Sequence, residues 1–233
     1  MSITESPAYL EALAQMEEHA ARPTPNPGEQ QSVEWMMQRC GKVTCSNFRH
    51  VIDFTKAGKP TAKRETYLWD VITERLTGTP VTHYVNDAMA HGTEFEPQAR
   101  MKYESVTGRI VLETGFVNHK TVAGVGGSPD GVIDDDGLIE IKAPTTRTHC
   151  QILLSDDLDD YMPQMQGLMW VTGRKWCDFV CYDPRLPAKL QLYISRVDRD
   201  EVYIEKLARA VNDFLCEVDD ILNRLDDKEA ATT

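Results

Sequence analysis

The stretch Gly126-Gly127-Ser128-Pro129-Asp130-Gly131-Val132-Ile133-Asp134-Asp135-Asp136-Gly137-Leu138-Ile139-Glu140-Ile141-Lys142 restricts the fold more than any other part of the chain. Two short apolar, β-branched runs flank an Asp/Gly turn, the pattern of a β-hairpin. Folding it about Asp136 sets Asp130 roughly opposite the segment from Glu140 to Lys142. Side chains alternate along a strand, so Glu140 and Lys142 share one face and Ile141 points to the other. Ile139 and Ile141 are expected to line the core. Leu138 falls on the polar face unless it lies beyond the site. Two carboxylates and a lysine therefore converge at one end of a sheet, where packing alone does not require them.

That grouping suits metal-assisted phosphodiester hydrolysis. Hard oxygen ligands select Mg²⁺ or Mn²⁺. Asp130 and Glu140 would hold the ion, with the backbone carbonyl of Ile141 as a third ligand. Lys142 would orient a water or stabilise charge building on the phosphoryl oxygens.

The rest of the chain is consistent with an enzyme of this kind. It has 233 residues, 41% hydrophobic and 27% charged, an ordinary globular composition. No apolar run approaches the roughly 18 residues of a membrane span. The segment from Met1 to Tyr9 lacks the blocks of a signal peptide, so a cytoplasmic location is expected. The net charge of −12 means that any DNA contact must rest on local basic groups. Candidates are Arg39, Lys42, Lys56, Lys59, Lys63, Arg64, Lys142 and Arg147. The six cysteines are scattered and are expected to be reduced thiols.

Three regions are expected. Residues 1–28 combine an amphipathic helix over Ser6 to Ala21 with a Pro-rich linker. Residues 29–225 form the main domain, and 226–233 a polar, frayed tail. In the main domain, Glu29 to Gln38 reads as helix, and Ser46 as the N-cap of a short helix through Phe54. Thr61 to Leu76 is amphipathic, with Leu68, Val71, Ile72 and Leu76 on its stripe and Gly78 as its stop. A helix from Thr93 to Val106 follows. Strands are expected over Arg109 to Glu113, Gly115 to Asn118, Thr121 to Val125, Gly131 to Ile133, Leu138 to Lys142, Lys175 to Tyr182 and Leu190 to Val197. A helix spans Asp159 to Val171, and Asp198-x-x-Glu201 resembles a capping box opening a long helix to about Leu225. This order describes a mixed α/β domain around one central sheet.

Simpler readings suffice for several motifs. Asp134-Asp135-Asp136-Gly137 reads as a turn rather than a calcium loop. Cys177 and Cys181 on one strand face favour core packing over an iron–sulfur cluster, which needs four ligands. The four tryptophans read as core or interface. Glu205, Asp213, Glu217, Asp219 and Asp220 read as the wet face of the last helix.

Pro129-Asp130, nine residues, then Glu140-Ile141-Lys142 is the PD-(D/E)xK nuclease motif. The wider context resembles the phage lambda exonuclease (YqaJ-type viral recombinase) family. The similarity includes Trp35-x-x-x-Arg39, Gly41-x-Val43-Thr44-x-Ser46, Gly92-x-x-x-Glu96 with Ala99-Arg100, and Ser128-Pro129-Asp130-Gly131. It continues through Ala143-Pro144, Tyr161-Met162-x-Gln164-x-Gln166 and Tyr182-Asp183-Pro184-Arg185, and runs from about Trp35 to Asp220. The resemblance implies a restriction-endonuclease-like α/β core with a central mixed sheet flanked by helices. It implies a Mg²⁺-dependent exonuclease that digests one strand of a duplex from its 5′ end and leaves a 3′ tail. Such enzymes form ring-shaped homotrimers around double-stranded DNA and act beside a single-strand annealing protein. By this resemblance Asp130 and Glu140 are the metal ligands, Lys142 the catalytic lysine, Glu96 a helix acid near the site and Gln164 a cleft glutamine. Arg39, Ser46 and Ser128 match the 5′-phosphate pocket. Where the family carries a further site aspartate, this chain has Lys120 beside His119, so either another acid or His119 is expected to compensate. The alternatives left open are a structure- or site-specific endonuclease of the same superfamily and a catalytically inactive DNA-end-binding module.

Overall fold

A computed structural model describes residues 30, 32–81 and 87–230. The expected N-terminal helix and Pro-rich linker lie outside the described residues. The chain opens with helix α1 (Val33–Arg39), capped by the Ser32 side chain, and strand β1 (Val43–Thr44). A 3-10 turn (Cys45–Asn47) leads into the short α2 (Phe48–Val51), followed by α3 (Ala62–Thr77) and α4 (Asp87–Thr107). Strands β2 (Val111–Leu112), β3 (Val117–Asn118), β4 (Val125–Gly127), β5 (Gly131–Ile133) and β6 (Gly137–Lys142) follow. Helices α5 (Thr146–Ser155) and α6 (Met162–Thr172) connect β6 to β7 (Trp176–Tyr182), and β8 (Leu192–Asp198) leads to α7 (Glu201–Ala230).

The central sheet runs β2-β5-β6-β7-β8. Only the β6–β7 pair is parallel, and its crossover is the α5–α6 unit. The hairpin forms as the sequence requires: Gly131 pairs with Ile139 and Ile133 with Gly137. Both faces of this sheet are covered. Ile139 and Ile141 pack with Val180, Ala99 and Tyr103 under α4. Leu138 and Phe179 pack on the other face with Phe48, Leu168, Val211 and Phe214. Leu138 thus shares the Glu140 face, but that face is core. Burial on both sides makes β6 read as a nearly continuous apolar run rather than an alternating one.

A second, smaller sheet, β1-β4-β3, separates from the first. The break falls at Ser128-Pro129-Asp130, where Pro129 has no N–H to continue a ladder. Gln30 Nε2 ties this crossing down, donating to the carbonyls of Pro129 at 3.1 Å and Thr114 at 3.3 Å. Before it, Gly127 lets β4 press against the 3-10 turn: a Cβ there would lie 2.6 Å from Cys45 Sγ.

Local chemistry redraws several expected boundaries. Ser46 caps nothing; it sits within the 3-10 turn and its hydroxyl is engaged by Arg39. Leu76 is exposed, because α3 turns that face outward near its Gly78 cap. Residues 121–124 form a turn, with the backbone N–H groups of Thr121 and Val122 donating to His119 Nδ1, so β4 starts at Val125. Asp200, not Asp198, opens α7: its carboxylate accepts from the Val202 and Tyr203 N–H groups, while Asp198 ends β8. The last helix runs on to Ala230, past the expected fraying point. Helix α5 was not anticipated from the sequence; its Thr145 N-cap is its one clear start signal.

Candidate active site

The hairpin brings Asp130 and Glu140 together. Asp130 Oδ2 accepts from the Ile141 N–H at 2.6 Å, so the motif aspartate is pinned to the strand carrying the other motif residues. Glu140 is fully buried. Its Oε1 accepts from Lys142 Nζ at 2.5 Å and from Gln164 Nε2 at 2.6 Å, and Gln164 Oε1 also accepts from Lys142 at 3.3 Å. Gln164 reaches the strand from the first turn of α6, on the face opposite α4. Glu96 comes from α4, where Arg100 Nη2 donates to its carboxylate at 3.0 Å.

The electrostatics follow from burial and like charge. Burial and the neighbouring Asp130 push Glu140 up to about 8. Burial and Asp130 push Glu96 up to about 7, against the pull of Arg100. Asp130 is raised by burial, with Lys142, the Ile141 N–H and Arg100 opposing. Burial alone would lower Lys142, but Glu140 and Asp130 override it and hold the ammonium above its usual value.

Glu140 Oε2 is buried and has no hydrogen-bond partner. A buried carboxylate oxygen without a donor is costly, and a divalent cation would satisfy it. The oxygen-only donor set of Asp130, Glu140 and the Ile141 carbonyl fits Mg²⁺ or Mn²⁺. Among the described residues, no three His, Cys, Asp or Glu side chains form a ready-made ligand cluster. The fit therefore rests on two carboxylates and a carbonyl.

A second polar group lies beside the first. Arg39 Nη2 donates to Ser46 Oγ at 3.1 Å, and its guanidinium lies over the Trp35 ring at 4.3 Å. Trp35 Nε1 in turn donates to Ser128 Oγ at 2.9 Å. Arg39, Ser46 and Ser128 are thus gathered from α1, the 3-10 turn and the sheet crossing. A cleft of about 160 Å³ joins the two groups, lined by Ser46, Arg49, Lys142, Asp160, Tyr161 and Gln164. A larger groove of about 510 Å³, beside Met37, Lys42, Glu74 and Arg75, lies away from this chemistry. Both Glu74 oxygens there are taken, by the Gly41 and Val81 N–H groups.

Other expected residues fall elsewhere. His119 Nδ1 caps the turn after β3 and its ring packs on Trp170 at 4.4 Å, a local structural role. Arg64 is buried, donating to the Val51 carbonyl at 3.1 Å and to Glu217 at 2.7 Å, so it is unavailable to DNA. Trp69 is exposed rather than core. Cys177 and Cys181 are buried free thiols. The sequence reading assigns no role to Arg100 or Arg49 and does not tie Trp35 to Ser128. The four-residue step from Glu96 to Arg100 was a usable signal for the first.

The YqaJ-like viral recombinase domain model matches residues 34–175. An alkaline exonuclease, LHK-Exo, from Laribacter hongkongensis is 43% identical, with 87% of this chain and 100% of that chain covered and a TM-score of 0.80. The structure of LHK-Exo in complex with dAMP matches at 43% identity over the same shares, with a TM-score of 0.81. A phage related exonuclease from Haemophilus somnus 129PT shares the fold at 20% identity, covering 79% of this chain and 96% of that one with a TM-score of 0.64. No curated protein matches the chain.

Proposed function

Since this chain belongs to the YqaJ-like viral recombinase family and is a nuclease, we propose that it digests one strand of linear double-stranded DNA from the 5′ end, with Mg²⁺, leaving a 3′ single-stranded tail. The observation that carries this reading is the cleft. It links Ser46 of the Arg39 group to Lys142 of the carboxylate group, so a terminal phosphate and a scissile bond would lie within one short channel.

Asp130, Glu140 and the Ile141 carbonyl would hold the Mg²⁺. When bound, the ion supplies Lewis-acid polarisation of the phosphate and a more acidic water. Lys142 stands where it can donate to a non-bridging oxygen or to the attacking water. Gln164 holds Lys142 and Glu140 in register, since it bonds both. Arg39 presents a fork for the terminal phosphate, and the hydroxyls of Ser46 and Ser128 would complete the cage. The same reading includes a homotrimeric ring around the duplex and work beside a single-strand annealing protein. The net charge of −12 accords with acidic groups outside such a ring and basic groups within.

The test is time-resolved digestion of end-labelled duplex with Mg²⁺, comparing 5′-phosphorylated, 5′-hydroxyl and covalently closed DNA. Release from the 5′-phosphorylated strand with closed DNA intact is expected. Cutting of closed circles would establish an endonuclease instead, and binding of ends without cleavage an inactive end-binding module.

A further inference from the structure

We infer that Arg100 is a positioning residue that holds Glu96 at the site by clamping it to Glu113. The inference rests on the reading of Glu96 as a site acid given above.

Arg100 and Glu96 are four residues apart on α4, and such a pair on an open helix surface does little. This one is built differently. The Arg100 side chain is only 14% exposed, and its Nε is buried without a hydrogen-bond partner. Its two terminal nitrogens are divided between two carboxylates: Nη2 donates to Glu96 and Nη1 to Glu113. Glu113 reaches it from beyond the helix. It directly follows β2, whose Leu112 pairs with Val132 of β5, two residues along the chain from Asp130. Its side chain is 74% exposed, and packing does not require it there. The helix below is fixed, since Ala99 and Tyr103 are fully buried against β6 and β7. One guanidinium therefore bridges the helix acid and the segment that leaves β2 beside β5. Without it, Glu96 faces other carboxylates with no cation holding it, and it would turn towards solvent.

The test uses the full chain with Arg100→Ala, Arg100→Lys, Glu113→Gln, Glu96→Gln and the double variant Arg100→Ala/Glu96→Gln. Three quantities are measured: single-turnover cleavage with Mg²⁺, binding of 5′-phosphorylated duplex ends without divalent metal, and melting temperature. Arg100→Ala is expected to slow cleavage about 10- to 100-fold, the usual scale for a residue that orients a ligand, while end binding is retained. Glu113→Gln should fall between it and the unsubstituted protein, and Arg100→Lys should recover part of the loss. The double variant should cleave no more slowly than Glu96→Gln alone, because Arg100 acts through Glu96. Independent, multiplying losses in the double variant, or unchanged cleavage in both Arg100→Ala and Glu113→Gln, would overturn the inference and leave the nuclease reading intact. Full cleavage by Glu96→Gln would instead remove Glu96 from the site, and the inference with it. Glu113 is exposed, so Glu113→Gln remains informative even if an Arg100 variant fails to fold.

Discussion

Lys142 has a structural place, and the proposed function gives it a chemical duty as well. Its ammonium neutralises Glu140, which is fully buried, and it also lines the cleft. Because burial and Asp130 already push Glu140 up to about 8, that carboxyl can take a proton when its partner is lost, which limits the damage to the fold. Lys142→Ala is therefore expected to lower turnover by about 10² or more with little change in melting temperature. Normal cleavage by a protein that merely melts earlier would show the lysine to be structural. Arg39 offers a separate test. Charge-assisted contacts to a terminal phosphate are worth about 1.5–3 kcal/mol, or about 10- to 150-fold. Arg39→Ala should selectively slow 5′-phosphorylated duplex and narrow its advantage over 5′-hydroxyl duplex. The comparison is made in single turnover at fixed salt, since phosphate contacts weaken as salt rises. An unchanged ratio would place end selection elsewhere.

At the scale of elements, the site depends on how β7 is tied to α5. Asp183, just past β7 and fully buried, accepts from Thr146 Oγ1 at 2.6 Å and from Arg185 Nε at 2.7 Å. Thr146 starts α5, so this carboxylate anchors the crossover that leads to α6 and Gln164. Burial alone would raise Asp183, but the hydrogen bonds from Arg185 and Thr146 outweigh it and hold the carboxyl well below its usual value. A depressed folded pKa contributes stability above the unfolded value near 4, and that stability is lost as pH falls through the lower folded value. Asp183→Asn is expected to cost about 1.5–3 kcal/mol at neutral pH and to flatten the acid side of the stability curve. Melting temperatures from pH 7 down to pH 3 check this. A variant whose melting temperature falls in parallel with that of the unsubstituted chain would assign the acid transition to other carboxylates.

At the scale of the molecule, the charge distribution is informative. Helix α7 turns Glu205, Asp213, Asp219 and Asp220 to solvent, while Glu217 and Asp219 receive Arg64 and Arg75. This face would repel DNA, so under the proposed function a duplex would approach from the Arg39 and Lys142 side. Processive digestion without a clamp requires the duplex to be enclosed, which the proposed ring would do. Light scattering is expected to give three times 26.3 kDa in solution. A concentration-independent monomer that still digests processively would refute enclosure by a ring of this chain.

The motif residues were legible because their geometry is local. A three-residue turn and strand alternation place Asp130 beside Glu140 and set Lys142 on the Glu140 face, whatever the rest of the chain does. The order of helices and strands was legible from periodicity, and the family's spaced motifs pointed to Arg39, Ser46, Ser128, Glu96 and Gln164. Local patterns could not show what surrounds those residues. Trp35, under the Arg39 guanidinium, reaches Ser128 across 93 positions, and Gln164 reaches Glu140 across 24. The split into two sheets at Pro129, the burial of Arg64, the diversion of Ser46 from cap to pocket and the Arg100 bridge all depend on which elements pack together. Strand alternation acts over a few residues and is written in the sequence. Burial and pairing act between segments far apart in the chain, so only the tertiary structure decides them.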